Sequence, residues 1–191
     1  MRAHSYREEL RRRYNRRCGY CTIREEDYGG QLNTDHYRPI SRGGTNERDN
    51  LVYCCTRCNQ YKGDFWPTAE DLAAGHRILH THQDDLTLHF REETDGRLTG
   101  LTVTGQFHIH KLRLNRPGLI ALRVRRRKMA QLRQLLEELT QQHRRLYERI
   151  RHLRTEQRVE LENEAILLDT ILETIRRVLG DIMEESNSPL E

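Results

Sequence analysis

The chain has 191 residues, of which 35% are hydrophobic and 32% charged, too polar a mixture for a large buried core; a small one needs a staple such as a metal, disulfides or association. Net charge is only +4, but residues 111–154 carry 14 Lys/Arg against 3 Asp/Glu and residues 155–191 carry 3 against 10, a basic block before an acidic tail that suggests contact with a polyanion. No window approaches the roughly 20 apolar residues of a membrane span, and no apolar stretch follows the basic start MRAHSYREELRRR to make it a signal peptide, so a soluble cytoplasmic protein with no membrane partner is expected.

Residues 1–70 hold all five cysteines. Arg11, Arg12, Arg13, Arg16 and Arg17 lead into the first pair, and they read equally as a phosphate contact or a solvated helix face. Cys18-Gly19-Tyr20-Cys21 and Cys55-Thr56-Arg57-Cys58 are two CxxC pairs. Two intervening residues let both thiolates of a pair reach one tetrahedral ion, and two pairs close a four-thiolate zinc site with no open position. Such a zinc holds the fold and takes no part in catalysis. Cys54 is left over, because only Cys55 keeps the two-residue spacing to Cys58. Disulfides fit a cytoplasmic chain poorly, and a redox CxxC would open a helix in a βαβ pattern that is absent.

Between the pairs, Leu32-x-Thr34-x-His36 alternates as a short strand, Ser41-Arg42-Gly43-Gly44 turns the chain, and Leu51–Cys54 makes a second strand. A helix containing Asn59 then starts near Thr56. This order can bring Asp35, His36 and Asn59 over one divalent ion. A carboxylate and an amide oxygen are hard ligands suited to Mg2+ or Mn2+, and a neutral histidine is a base able to activate water near neutral pH. Phosphodiester hydrolysis asks for these parts. Arg38, Arg42, Arg57 and Lys62 surround the site, and with Arg16 and Arg17 they are the candidate nucleic-acid contacts. Tyr20, Tyr37, Tyr53 and Trp66 are expected to fill the core, which ends near Pro67.

Residues 71–114 read as a short helix followed by strands, with Leu86, Leu88 and Phe90 alternating, a turn at Asp95-Gly96, and Phe107, Ile109 and Lys111 continuing the alternation. His80-x-His82 and His108-x-His110 are spaced for chelation on a strand, but without accompanying acids or cysteines they read as core or surface residues. Residues 115–185 read as helix, capped by Asn115 with Pro117 in the first turn, and the polar ESNSPLE end reads as a fraying terminus. Met129, Leu132, Leu136, Leu139, His143, Leu146, Ile150 and Leu153 step by threes and fours, and a second stripe follows at Leu168, Ile171, Ile175, Val178 and Ile182. Two helices folding back, a seam for a partner, or one long helix all fit.

The segment from Cys18 to Lys62 resembles the HNH endonuclease family, through Cys18/Cys21, Asp35-His36 followed by Pro39, Gly43-Gly44, Asn50-Leu51, and Cys55-x-x-Cys58-Asn59-x-x-Lys62. Fourteen positions separate His36 from Asn50, and nine separate Asn50 from Asn59. The resemblance implies that His36 activates water, that Asp35 and Asn59 hold the metal, and that Asn50 braces the loop. Asn59 stands where many members have histidine, a known variant expected to favour Mg2+ or Mn2+ over softer metals. The resulting expectation is an α+β protein: a zinc-stabilised ββα-metal HNH module over residues 1–70, a small mixed segment over 71–114, and a coiled-coil-like helical arm over 115–191. The expected function is endonucleolytic hydrolysis of nucleic acid, with DNA as the expected substrate. The alternative is a non-catalytic zinc-knuckle binding module. By analogy with HNH nucleases that act beside ATPase subunits in bacterial antiviral defence, the arm is a candidate seat for a protein partner or a second copy.

Overall fold

The computed structural model describes residues 6–151 and 155–185, in the order α1 (Arg7–Arg13), α2 (Glu25–Tyr28), β1 (Asn33–His36), β2 (Leu51–Cys54), α3 (Thr56–Lys62), α4 (Ala69–Ala73), β3 (Phe90–Glu92), β4 (Leu98–Gly100), α5 (Val103–Lys111), α6 (Pro117–Arg151) and α7 (Thr155–Glu185). The chain divides into two compact units, one running to Val124 and the other beginning at Arg125, so the expected boundaries at residues 70 and 114 both lie inside the first unit. No described helix is long and apolar enough to cross a membrane. Residues 1–5, Leu153 of the expected seam and residues 186–191 lie outside the described residues.

In the first unit β1 and β2 pair antiparallel, with Asp35 opposite Val52 and His36 opposite Leu51. All four residues of β2 are buried, because α1 covers this two-stranded sheet. Leu10, Leu32, Leu51 and Tyr53 are fully buried there, in one core with the cysteines, Ile78, Ile109, Leu112, Leu114, Leu119 and Leu122. The middle segment therefore completes the core of the N-terminal module. A fork between Arg11 and Glu25, at 2.7 and 2.8 Å, ties α1 to α2. The Tyr53 hydroxyl donates to the same carboxylate.

Two readings of the middle segment and one of the helical arm change. Leu86–Leu88 is a 3-10 turn, and the strand begins only at Phe90. The hairpin to Leu98–Gly100 does form around Asp95-Gly96, where Asp95 accepts from Arg97 N–H at 2.9 Å. Phe107, Ile109 and Lys111 lie on helix α5, which Thr102 caps by accepting from Gly105 N–H at 3.0 Å. Its buried positions are Gly105, His108 and Ile109, with Leu112 just beyond, a three-to-four spacing hidden because a glycine and a histidine occupy two of them. Asn115 does not cap α6. Its amide clamps β4, accepting from Leu98 N–H at 2.7 Å and donating to Leu98 O at 2.9 Å. The Arg116 carbonyl accepts the first helical bonds instead, from Leu119 and Ile120, and Pro117 takes the first helical position, where its missing N–H costs nothing.

The second unit is two helices with an apolar seam. Along α6, Met129, Leu132, Leu136, Leu139, His143, Leu146 and Ile150 are the covered positions, while nearly every residue between them is exposed. Leu146 and Ile150 pack with Ala165, Leu161 and Leu168. His143 Nε2 meets Asp169 at 2.7 Å, which sets the two helices antiparallel. On α7 Leu168, Ile175 and Ile182 of the expected stripe are covered, but Ile171 and Val178 are not. Ala165, Leu172 and Leu179 are buried, whereas Ile171 and Val178 are 37% and 38% exposed.

Candidate active site and metal centre

The four cysteines are placed by two turns and a helix start. Cys18 and Cys21 flank the turn after α1, where the N–H groups of Tyr20 and Cys21 point at Cys18 Sγ from 3.4 and 3.5 Å. Cys55 precedes α3 and Cys58 lies in its first turn. All four sulfurs lie within 4.8 Å of one another and all four residues are buried. With Zn–S bonds of about 2.3 Å, a tetrahedron has edges of about 3.8 Å, and Cys21 Sγ to Cys55 Sγ is 3.8 Å. The cysteines thus fit a closed structural zinc site. Cys54 is fully buried on β2, burial pushes its thiol pKa well up, and it stays outside the quartet.

Beside α3 an open cleft of about 350 Å³ is lined by Asp35, His36, Pro39, Ile40, Ser41, Asn59, Lys62, Gly63 and Asp64. The expected trio of Asp35, His36 and Asn59 therefore shares one cleft, because β1 ends beside the middle of α3. Asn50 does not line it. Its amide donates to Arg38 O at 3.0 Å and to Thr45 O at 2.7 Å, and its oxygen accepts from Arg38 N–H at 2.8 Å, fixing the loop that follows His36. Gly43 takes a left-handed φ of +79°, and a Cβ on Gly44 would stand 1.9 Å from Arg38 O, so that loop closes only with glycine at both positions. His36 Nε2 lies 2.8 Å from Asn46 Oδ1, an acceptor, which assigns the proton to Nε2 and leaves Nδ1 as the basic nitrogen.

Asp35 is buried, 8% exposed. Tyr20 donates to its Oδ2 at 2.8 Å, and Lys62 Nζ lies 3.1 Å from Oδ2 and 3.3 Å from Oδ1. Desolvation pushes the Asp35 pKa up, and Lys62 and Tyr20 pull against it. Burial holds the Tyr20 phenol far above its ordinary pKa, so it remains a donor.

Lys62 corrects the sequence reading. It is 1% exposed, and its ammonium also donates to His36 O at 2.7 Å and Gly63 O at 3.3 Å, so all its donors point inward and none faces a phosphate. The buried Asp35 carboxylate supplies its partner. The other expected contacts fall into three places. Arg38 and Arg42 are exposed on the braced loop, with Arg38 Nε donating to Arg42 O at 2.7 Å and its guanidinium 5.3 Å from the Trp66 ring centroid. Arg16 and Arg17 line a separate open groove with Arg11 and Arg24. Arg57 borders a small cavity beside Cys55.

Sequence reasoning missed Tyr20, Asn46 and Asp64. A buried tyrosine needs a partner for its hydroxyl, and that was the available signal for Tyr20. Asn46 and Asp64 carry none beyond their nearness to the motifs. The two histidine pairs assemble no metal site with acids or cysteines among the described residues. His80 and His108 are buried, and desolvation lowers both pKa values to about 4.

No curated protein and no solved structure matched the chain. The family model for HNH endonuclease matches residues 18–65, the segment from the first cysteine pair through the cleft. These residues are an HNH endonuclease domain, and the buried cysteine quartet within it makes that domain one of the zinc-knuckle type.

Proposed function

We propose that the protein is a metal-dependent endonuclease that hydrolyses phosphodiester bonds, with DNA as its substrate. The observation carrying this reading is that Asp35, His36, Asn59 and Asp64 line one open cleft within the HNH match. His36 Nδ1 takes a proton from the attacking water while Asn46 holds the opposite ring nitrogen. The water oxygen bonds to phosphorus as the bond to the leaving oxygen breaks. Asp35 and Asn59 are the proposed ligands of a Mg2+ or Mn2+ ion, which when bound neutralises charge on the phosphate and the leaving oxygen. Tyr20 and Lys62 orient the Asp35 carboxylate, whose two oxygens retain lone pairs beyond those two bonds. Asp64 supplies a second, exposed carboxylate to the cleft. Arg38 and Arg42, on the loop braced by Asn50, are the proposed backbone contacts nearest the reaction.

One observation favours the rival reading of a binding-only module: Asp35 is buried with both oxygens already in use. A cleavage panel over single-stranded, duplex and branched DNA and RNA, with Mg2+ and with EDTA, separates the two. Mg2+-dependent cutting that falls by 10²-fold or more in His36→Ala supports the nuclease. Binding without cutting supports the rival. Partner-directed targeting through the helices is a further part of the proposal, supported by exposed Ile166, Leu167 and Val178 on α7. A solution mass of 22.9 kDa together with unassisted cleavage would remove it.

A further inference from the structure

The knuckle is completed by a residue far from it in sequence. Zn2+ held by four thiolates carries a net charge of −2, and here the sulfurs are buried, so that charge needs compensation from fixed donors. Backbone N–H groups serve Cys18. At the other three sulfurs stands Arg116, whose Nη2 is 3.9 Å from Cys21 Sγ, 3.9 Å from Cys55 Sγ and 3.8 Å from Cys58 Sγ. The guanidinium is held in that position. Its Nη1 donates to Leu112 O and Arg113 O, each at 3.3 Å, and its Cζ lies 5.7 Å from the ring centroid of Tyr61, which stands one helical turn beyond Cys58 on α3. A small cavity of about 190 Å³ is bordered by both Cys55 and Arg116.

We propose that Arg116 is the counter-cation of the zinc–tetrathiolate, its Nη2 set against three of the sulfurs and retarding loss of the metal, so that the start of α6 is part of the metal centre. This rests on the cysteine quartet holding zinc and is independent of nuclease activity.

The test uses the full chain loaded with zinc, and in parallel with cobalt, as wild type, R116Q and R116K. R116Q is expected to weaken zinc affinity by about 10- to 100-fold against a competing chelator, to speed zinc release, and to move the sulfur-to-cobalt charge-transfer band to lower energy. R116K keeps the charge and is expected to stay within about threefold of wild type in affinity. R116M keeps aliphatic packing on Tyr61 without donors and replaces R116Q should that variant fail to accumulate. Wild-type affinity and an unmoved cobalt band in R116Q or R116M overturn the proposal while leaving the zinc reading intact. R116K as weak as R116Q overturns the charge argument. A wild-type chain that takes up no zinc overturns the zinc reading and the proposal together.

Discussion

The two units are held by different means. Up to Val124, short elements surround a core in which cysteines, a buried lysine–carboxylate pair and buried histidines stand among the leucines. Among the described residues no helix before α6 exceeds nine residues, and such helices are not stable alone in water. From Arg125 onward, two helices share one apolar seam of three-to-four periodicity. The contrast teaches that the unit bearing the HNH match is the one whose elements are individually too short to stand, so that polar groups and a cysteine cluster fit for zinc complete it, whereas the long helices need only their seam.

Removing the metal is the largest way to break that contrast. Structural zinc contributes an apparent ~10–16 kcal/mol, as much as a whole domain's typical stability of ~5–15 kcal/mol. Chelation, or Cys18→Ser, is therefore expected to unfold the unit up to Val124. Hydrogen exchange should show lost protection over β1, β2 and α3 with protection kept in α7; an intact N-terminal unit without zinc would refute this. Next in size is Lys62→Met. It leaves the buried Asp35 carboxylate without its counter-charge, which costs ~3–5 kcal/mol. Denaturant melts of the zinc-loaded variant measure it, and a loss below ~1 kcal/mol would mean that the ammonium is not held as described. In the second unit, Leu146→Ala should cost ~2–5 kcal/mol in the melting of α6 and α7 while zinc content and chelator resistance stay at wild-type values. A shift in either metal readout would show that the two means of stabilisation are not separate.

What was legible in the sequence fell in both units. The CxxC spacings, the strand pair around the glycine loop, the helix bearing Asn59 and the α6 seam were all readable, because each is set by local spacing. What failed depended on partners distant in sequence. Lys62 reads as a phosphate contact until Asp35 and the His36 carbonyl are seen around it. Asn115 reads as a cap until β4 claims both ends of its amide. On α7, apolar residues adjoin at 171/172 and 178/179, so the positions between Leu168, Ile175 and Ile182 could be filled either way, and packing with α6 selects Leu172 and Leu179 over Ile171 and Val178. The pattern of α5 was masked because Gly105 and His108 occupy core positions.

The central claim is that the cleft beside α3 cuts phosphodiester bonds through His36. The most direct measurement compares Mg2+-dependent DNA cleavage by wild type and His36→Ala, both verified to hold equal zinc and to melt alike. The account predicts cleavage by the wild type and a fall of 10²-fold or more in the variant. Equal cleavage by the two proteins would contradict it.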